Sequence, residues 1–495
     1  MKFTRLRLHV CARVLSCVCA LVQTLDVGGE VFRALAHAYA RGMARGLNPP
    51  SPPPPPPRRA EGMAGKALAL GYLSSDFTAH ATTHLLKGVF ALHDPRRVRA
   101  ICLDLYAAAS SAAHPASAAS ASSLSKGEGS SWHNEVAQHC HLVSVGALAA
   151  HEGAAVIQRQ HVQVLIDLNG WTAGHRSDIL HQRAAPIQAL YLGYPATTGA
   201  PYMDYFISDP TATPPDLAGH FSEKLVLLRT CYYVNDHARY HEKEARAFEA
   251  AGAAGSATRR AHSQADRAAL GLPRDGTLVA NFNQLYKVTP CVFDEWMRAI
   301  ARGGEDACFW QPMPKDSPSA RGASSRMLAR ARALGVAAHR VVITNNTNIV
   351  EFVRRCGLAD LVLDTFPINA HTVAMDVLWM GTPLLTRTGE AFSSRVASAI
   401  LAALGLHGVL CARTLEDFSA IASRLIAGRR GQREREKLRR AIEHRRWSWP
   451  LFDRARQVEN VETGARLMWE VYEAGLAPHH IVLASQAPLP SGSSA

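Results

Sequence analysis

The chain has 495 residues, 47% of them hydrophobic and 19% charged, with a formal net charge of +13. That length calls for two or three domains, and that much apolar material excludes a wholly disordered chain. The basic balance suits an anionic partner such as nucleic acid or a phosphorylated small molecule. No zinc-finger spacing and no aromatic–basic RNA-binding signature accompanies it, so nucleic acid is not expected.

Leu8 to Val22 is apolar and follows Lys2, Arg5 and Arg7, as in a signal peptide. Arg13 interrupts it, no cleavage site follows, and it is too short to span a bilayer. Residues 1–47 therefore read as a helical or targeting segment, with organellar or secretory targeting by residues 1–25 left open. Residues 48–65 form a linker containing Pro49, Pro50 and Pro52 to Pro57, which is stiff and extended. Strand patterns follow at Ala67–Leu73, Val98–Leu105, Val162–Leu168 and Ile187–Leu192, with a helix from about His80 and an Ala/Ser-rich surface loop over 107–131. Glu242 to Gln264 reads as a helical or loop insertion. A second set opens with Leu278–Phe282 and continues with Arg340–Ile343, Leu361–Asp364, a helix over Thr372–Met380 and Pro383–Thr386. The basic run from Arg429 to Arg446 reads as a solvated helix face, and 476–495 as a tail. Short apolar runs alternating with helices indicate parallel sheets covered on both faces. The two sets predict two Rossmann-like domains, 66–270 and 271–475. Ten cysteines without C-x-x-C spacing read as reduced thiols of an intracellular protein.

Ligands of such sheets sit beyond the carboxyl ends of the strands. The candidates are thus Ser74-Ser75-Asp76, Asn169 to Thr172, Gly193-Tyr194-Pro195, Asn283 to Lys287 and Asp364 to Thr372. A helix starting near His371-Thr372 turns free N–H groups and its positive end toward the cleft, a place for a diphosphate. Asp376, about one turn on, is placed to accept hydrogen bonds from ribose hydroxyls. From spacing alone, an ordinary capped helix with an incidental aspartate fits equally well. Lys287 is placed to neutralise a leaving diphosphate, or is simply a surface lysine. His80 and His84 have the i,i+4 spacing of two metal ligands on one helix face. No glutamate stands between them and no third ligand is evident, so no metal is expected.

Gly71-Tyr-Leu-Ser-Ser-Asp-Phe-Thr-Ala-His80-Ala-Thr-Thr-His84 resembles the opening motif of the O-linked N-acetylglucosamine transferase catalytic region. Ala185 to Ala200, Met203-Asp-Tyr, Asn281-Phe-Asn-Gln-Leu-Tyr-Lys287, Leu358-Ala-Asp360, and His371 through Pro383 to Ala397 resemble it in the same order. Together they span about residues 66–475. The resemblance implies a GT-B fold, with two facing Rossmann-like domains, a C-terminal helix packing back, and no cofactor or metal. It implies inverting transfer of N-acetylglucosamine from UDP-GlcNAc to Ser/Thr hydroxyls of cytoplasmic or nuclear proteins, without stable membrane association. It implies His80 near sugar and acceptor, and Lys287 on the diphosphate with Gln284 close by. His371 and Thr372 would bind diphosphate and Asp376 the ribose. Arg355 would lie near the uracil, Leu192, Gly193 and Pro195 along the sugar pocket, and Tyr286 would face the acceptor peptide.

Some positions depart from that pattern. Val373 replaces a second threonine and Ala370 a glycine. Ile349 and Phe352 stand where animal members place a lysine and a histidine against the uracil. Trp310-Gln-Pro-Met-Pro replaces the usual apolar strand, and the tetratricopeptide array is not in this sequence. Two other readings follow: a protein fucosyltransferase using GDP-fucose, and a weakly active or non-catalytic donor-binding relative.

Overall fold

The computed structural model describes residues 29–45, 47, 67–106, 126–253, 256–314 and 318–484. The expectations for residues 1–28, the Pro-rich linker, most of the Ala/Ser-rich stretch and the tail from Ser485 lie outside them. The described strands are β1 Leu68–Ser74, β2 Val98–Asp104, β3 His141–Ser144, β4 Val164–Asp167, β5 Ile187–Leu190, β6 Tyr205–Ser208, β7 Lys224–Leu227, β8 Thr277–Ala280, β9 Ala307–Pro312, β10 Val341–Thr344, β11 Leu361–Leu363, β12 Leu384–Arg387, β13 Cys411–Ala412 and β14 Ile481–Val482. One sheet runs β14-β7-β6-β5-β4-β1-β2-β3 and the other β10-β9-β8-β11-β12-β13. Every pairing is parallel.

Burial on both faces explains the composition of these strands. All seven residues of β1, Leu-Ala-Leu-Gly-Tyr-Leu-Ser, are buried, so a continuous apolar run replaces the alternation of a half-exposed strand. In each sheet the first strand lies between the second and the fourth, β1 between β2 and β4, and β8 between β9 and β11. The strand order reverses there, and a crevice opens beyond the carboxyl ends. This is the GT-B arrangement.

Several expectations are corrected. The segment around Trp310 is a full strand: Ala307–Pro312 is buried throughout and pairs with both β8 and β10. Ile481–Val482 is no loose tail but adds to the first sheet beside β7. There His480 Nδ1 accepts the Leu225 N–H at 3.0 Å. The helix Arg454–Glu473 precedes it and packs on β4 and β5, so the chain's last elements belong to the first sheet.

The basic helix Gly428–Arg446 is more than a solvated face. Arg435, Arg439 and Arg445 reach inward to carbonyls of Leu425, Ala359 and Leu404, and Arg446 pairs with Glu249 at 2.9 Å. Those carbonyls lie near helix ends that lack intrahelical partners, where guanidinium groups supply the donors. Cys102 and Cys140 form a disulfide, with Cα atoms 5.8 Å apart, whereas Cys231, Cys291, Cys308, Cys356 and Cys411 are free. The pair arises because β2 and β3 are neighbours, which a sequence separation of 38 does not reveal. Among the described residues, no helix is long and apolar enough to cross a membrane.

Candidate active site

Asp364 follows β11 at the reversal point of the second sheet and is fully buried. Its Oδ1 accepts from the N–H groups of Thr365 and Ala370 at 2.8 and 2.7 Å, and its Oδ2 from Thr386 Oγ1 at 2.7 Å. One carboxylate thereby fixes the loop that launches the helix Thr372–Trp379. Lys287, in the turn after β8, donates from Nζ to the Asn369 carbonyl of the same loop at 2.6 Å. Burial pushes its pKa down to about 8, against the pull of the Asp364 charge.

His371 stands at the helix start. Burial, reinforced by the neighbouring Lys287 charge, holds its pKa well below the usual histidine value. The neutral ring lies with Nε2 3.2 Å from the Ser393 carbonyl, so Nε2 carries the proton and donates it there. Among the described residues, the backbone N–H groups of His371 and Val373 find no protein acceptor. The Thr372 hydroxyl meets Tyr233 Oη at 2.9 Å, a direct bond between the two halves of the molecule.

Asp376 lies one turn further, buried and facing three histidines. His237 Nε2 is 2.7 Å and His84 Nε2 3.3 Å from its Oδ1. Burial raises the Asp376 pKa, but the hydrogen bonds from His237 and His84 outweigh it and hold the group well below the usual carboxylate range. Burial keeps His237 below its ordinary value, opposed by Asp376, and pushes the adjacent His241 down to about 2. The three ligand atoms of His84, His237 and Asp376 lie within 4.8 Å of one another, close enough to hold a metal ion. The third ligand that the sequence did not offer is therefore present in space. Contacts of 2.7 and 3.3 Å are also ordinary N–H···O hydrogen-bond lengths, and beside an ionised carboxylate they read as such.

The i,i+4 pair is thus split. His84 enters this cluster, whereas His80 caps the helix Ala81–Leu86 and stays part-exposed. His80 Nδ1 lies 3.3 Å from both the Thr82 N–H and Asp76 Oδ2.

A cleft of about 930 Å³, open solvent included, joins these parts. His80, His84 and Trp132 line it from the first half, and Gln284, Thr372, Val373 and Asp376 from the second. Its far end is apolar, with Ile349, Phe352 and Phe282; the two phenylalanine rings meet edge to face at 5.8 Å. Lys287 and His371 sit behind this lining. Arg355 is turned away, its Nε on Glu351 at 2.8 Å and Nη1 on the Asn345 carbonyl at 3.1 Å. Tyr286 is 64% exposed outside the cleft. Leu192, Gly193 and Pro195 form the loop after β5 and do not line this cleft. Leu192 has φ +67°, and a Cβ on Gly193 would meet the Leu168 carbonyl oxygen at 1.7 Å. Gly193→Ala is expected to cost about 3 kcal/mol of stability, because backbone must move to admit it; a denaturant midpoint unchanged from wild type would contradict that.

Sequence reasoning missed His237, Tyr233 and Trp132. The first two follow β7, so the search beyond strand ends would have reached them had that strand been read.

A family model described as glycosyl transferase family 41 matches residues 56–246 and 242–461. The chain belongs to glycosyl transferase family 41. It is 32% identical over 416 residues to the probable UDP-N-acetylglucosamine–peptide N-acetylglucosaminyltransferase SEC of Arabidopsis thaliana, covering 84% of this chain and 38% of the relative. It is 25% identical over 421 residues to the probable UDP-N-acetylglucosamine–peptide N-acetylglucosaminyltransferase SPINDLY of Petunia hybrida, covering 83% and 40%. A solved mutant of Thermobaculum terrenum O-GlcNAc transferase superposes with TM-score 0.73 at 22% identity, over 94% of this chain and 78% of that one, which shows the shared fold. The family 41 chain spans about two fifths of the length of the curated relatives it matches. As a family 41 member it is a glycosyltransferase.

Proposed function

We propose that this family 41 chain transfers N-acetylglucosamine from UDP-GlcNAc to Ser/Thr hydroxyls of cytoplasmic or nuclear proteins, with inversion and without a metal. The observation that carries the reading is the helix start at 371–376. Unclaimed N–H groups, a buried lysine and a cleft-facing carboxylate stand there in the order diphosphate, leaving-group charge, ribose. Both plant relatives carry UDP-N-acetylglucosamine in their descriptions, which supports UDP-GlcNAc as the donor.

In this reading the His371 ring is occupied by Ser393, so its diphosphate contact comes through the backbone N–H, joined by that of Val373 and by Thr372. Val373 then removes a hydroxyl but not a backbone donor. Lys287 stabilises the charge that develops on departing UDP, with Gln284 beside it. The apolar end at Ile349 and Phe352 takes the base by packing, with Arg355 holding the neighbouring loop through Asn345. Leu192, Gly193 and Pro195 lie outside the cleft and take no donor contact in this reading, and Tyr286 meets the acceptor at the rim. His80 orients the acceptor hydroxyl. With Nδ1 accepting the Thr82 N–H, Nε2 carries the ring proton and is the donor offered to the oxygen of the acceptor hydroxyl.

The test offers purified chain and an acceptor peptide UDP-GlcNAc and GDP-fucose in parallel, with products weighed by mass spectrometry. Peptide gaining N-acetylhexosamine from UDP-GlcNAc is expected. Gain of fucose alone would overturn the donor assignment, and donor binding without transfer would favour a non-catalytic role. The lysine adds a pH signature. Bound diphosphate raises the Lys287 pKa above its free value of about 8, so between the two values binding takes up a proton. Donor affinity is then flat below pH 7 and falls above pH 8, by at most about tenfold per pH unit. Isothermal titration of UDP across pH 6.5 to 9.5 reads the slope, which Lys287→Met should abolish.

A further inference from the structure

We propose that His237, together with His84, is a positioning residue that aims the Asp376 carboxylate at the ribose hydroxyls of the donor nucleotide, so that the ribose site is built by both halves of the molecule. The inference rests on reading Asp376 as the ribose ligand. Both imidazoles contact the same oxygen, Oδ1, at 2.7 and 3.3 Å. The other oxygen, Oδ2, accepts no hydrogen bond among the described residues, and Asp376 lines the cleft. One oxygen is therefore anchored and the other presented.

The direction of the anchoring bond follows from the His237 surroundings. Its Nδ1 is buried without a partner. A neutral imidazole carries one proton and places it where an acceptor stands, so Nε2–H donates to Asp376. The ring itself is fixed: it is fully buried, with Trp379, Phe452 and His241 rings at 6.0, 6.2 and 5.7 Å and the His84 ring at 5.1 Å. A carboxylate held by such a pair does not need to be oriented when the nucleotide arrives, which preserves affinity. His84 follows β1 and His237 follows β7, both in the first sheet's chain, whereas Asp376 belongs to the second sheet's helix. The half that carries the nucleotide site thus relies on the opposite half to aim its ribose ligand.

The experiment measures affinities of the full chain for UDP and for 2′,3′-dideoxy-UDP, which lacks the hydroxyls. Wild type is expected to prefer UDP by about tenfold or more, the scale of a hydrogen bond to a charged group. In His237→Phe, UDP affinity should fall by most of that factor while the dideoxy compound changes by less than about twofold. His237→Gln, whose amide N–H reaches toward the same oxygen, should restore the preference. His84→Leu removes the longer contact and should show a smaller selective loss, which keeps the test decisive if His237→Phe does not fold. Equal loss of both ligands in these variants would make the histidines merely structural and overturn the proposal. Wild type that binds both ligands equally, or neither, would instead overturn the ribose assignment of Asp376, and the inference with it.

Discussion

Lys287→Met is expected to lower the transfer rate about a hundred- to a thousandfold while the fold stays intact, the range for removal of one preorganised charge-stabilising group. The lysine is buried, its ammonium donates to the Asn369 carbonyl at 2.6 Å, and its charge is already costly where it stands, as its lowered pKa records. Methionine keeps the length and much of the volume without the charge, so the thermal midpoint should hold or rise. In the proposed reaction the cation matters most when the UDP leaving group gains charge, so kcat should fall more than KM rises. Steady-state kinetics with UDP-GlcNAc and a peptide acceptor, alongside a thermal melt, give both numbers. A kcat within a few-fold of wild type would remove Lys287 from the chemistry.

Asp376→Ala is expected to act on two quantities together. It deletes the carboxylate that faces the ribose, weakening UDP binding about 10- to 100-fold. It also leaves the His84 and His237 N–H groups buried opposite a void. Each stranded donor costs about 1–3 kcal/mol, so stability should drop by about 2–6 kcal/mol. Asp376→Asn restores an acceptor for the histidines but not the charge, so it should recover more stability than affinity. Urea unfolding and UDP titration on the same preparations separate the two effects. Unchanged stability in the alanine variant would mean that the histidines find other partners, contrary to the geometry of their burial.

The apolar strands were legible from sequence because a continuous apolar run is what a doubly buried strand requires; β1, β2, β4, β5 and β8 fall within a few residues of their expected places. In β3 both end residues are exposed, so no run stands out; β6 and β7, four residues each like β4 and β5, were not read as strands. The strand around Trp310 was dismissed for its polar and proline residues. Gln311 is nonetheless buried there, its amide nitrogen donating to the Pro312 carbonyl at 3.0 Å while its side-chain oxygen has no partner among the described residues. The helix start at His371–Asp376 was visible because strand, turn and helix are contiguous there. The histidine pair on Asp376 was not, since His84 lies 292 residues away and its local spacing pointed to His80 instead. Charge misled in a similar way: a run of arginines looks solvated from composition, whereas Arg435 caps the end of the preceding helix at Leu425 and Arg439 the carbonyl of Ala359 in a distant segment.

The return of the chain to its first sheet sets an order of assembly. After β7 the polypeptide leaves, builds the whole second sheet, and comes back with the helix 454–473 and β14 only at the end. On the ribosome the first sheet must wait with the edge of β7 unpaired and the seat for Met468 and Trp469 uncovered while the second takes shape. Open strand edges and uncovered apolar surface are the features on which nascent chains aggregate. For this fold, then, the period of exposure lasts from the emergence of β7 until the helix 454–473 and β14 dock, and its protection depends on how quickly that docking follows.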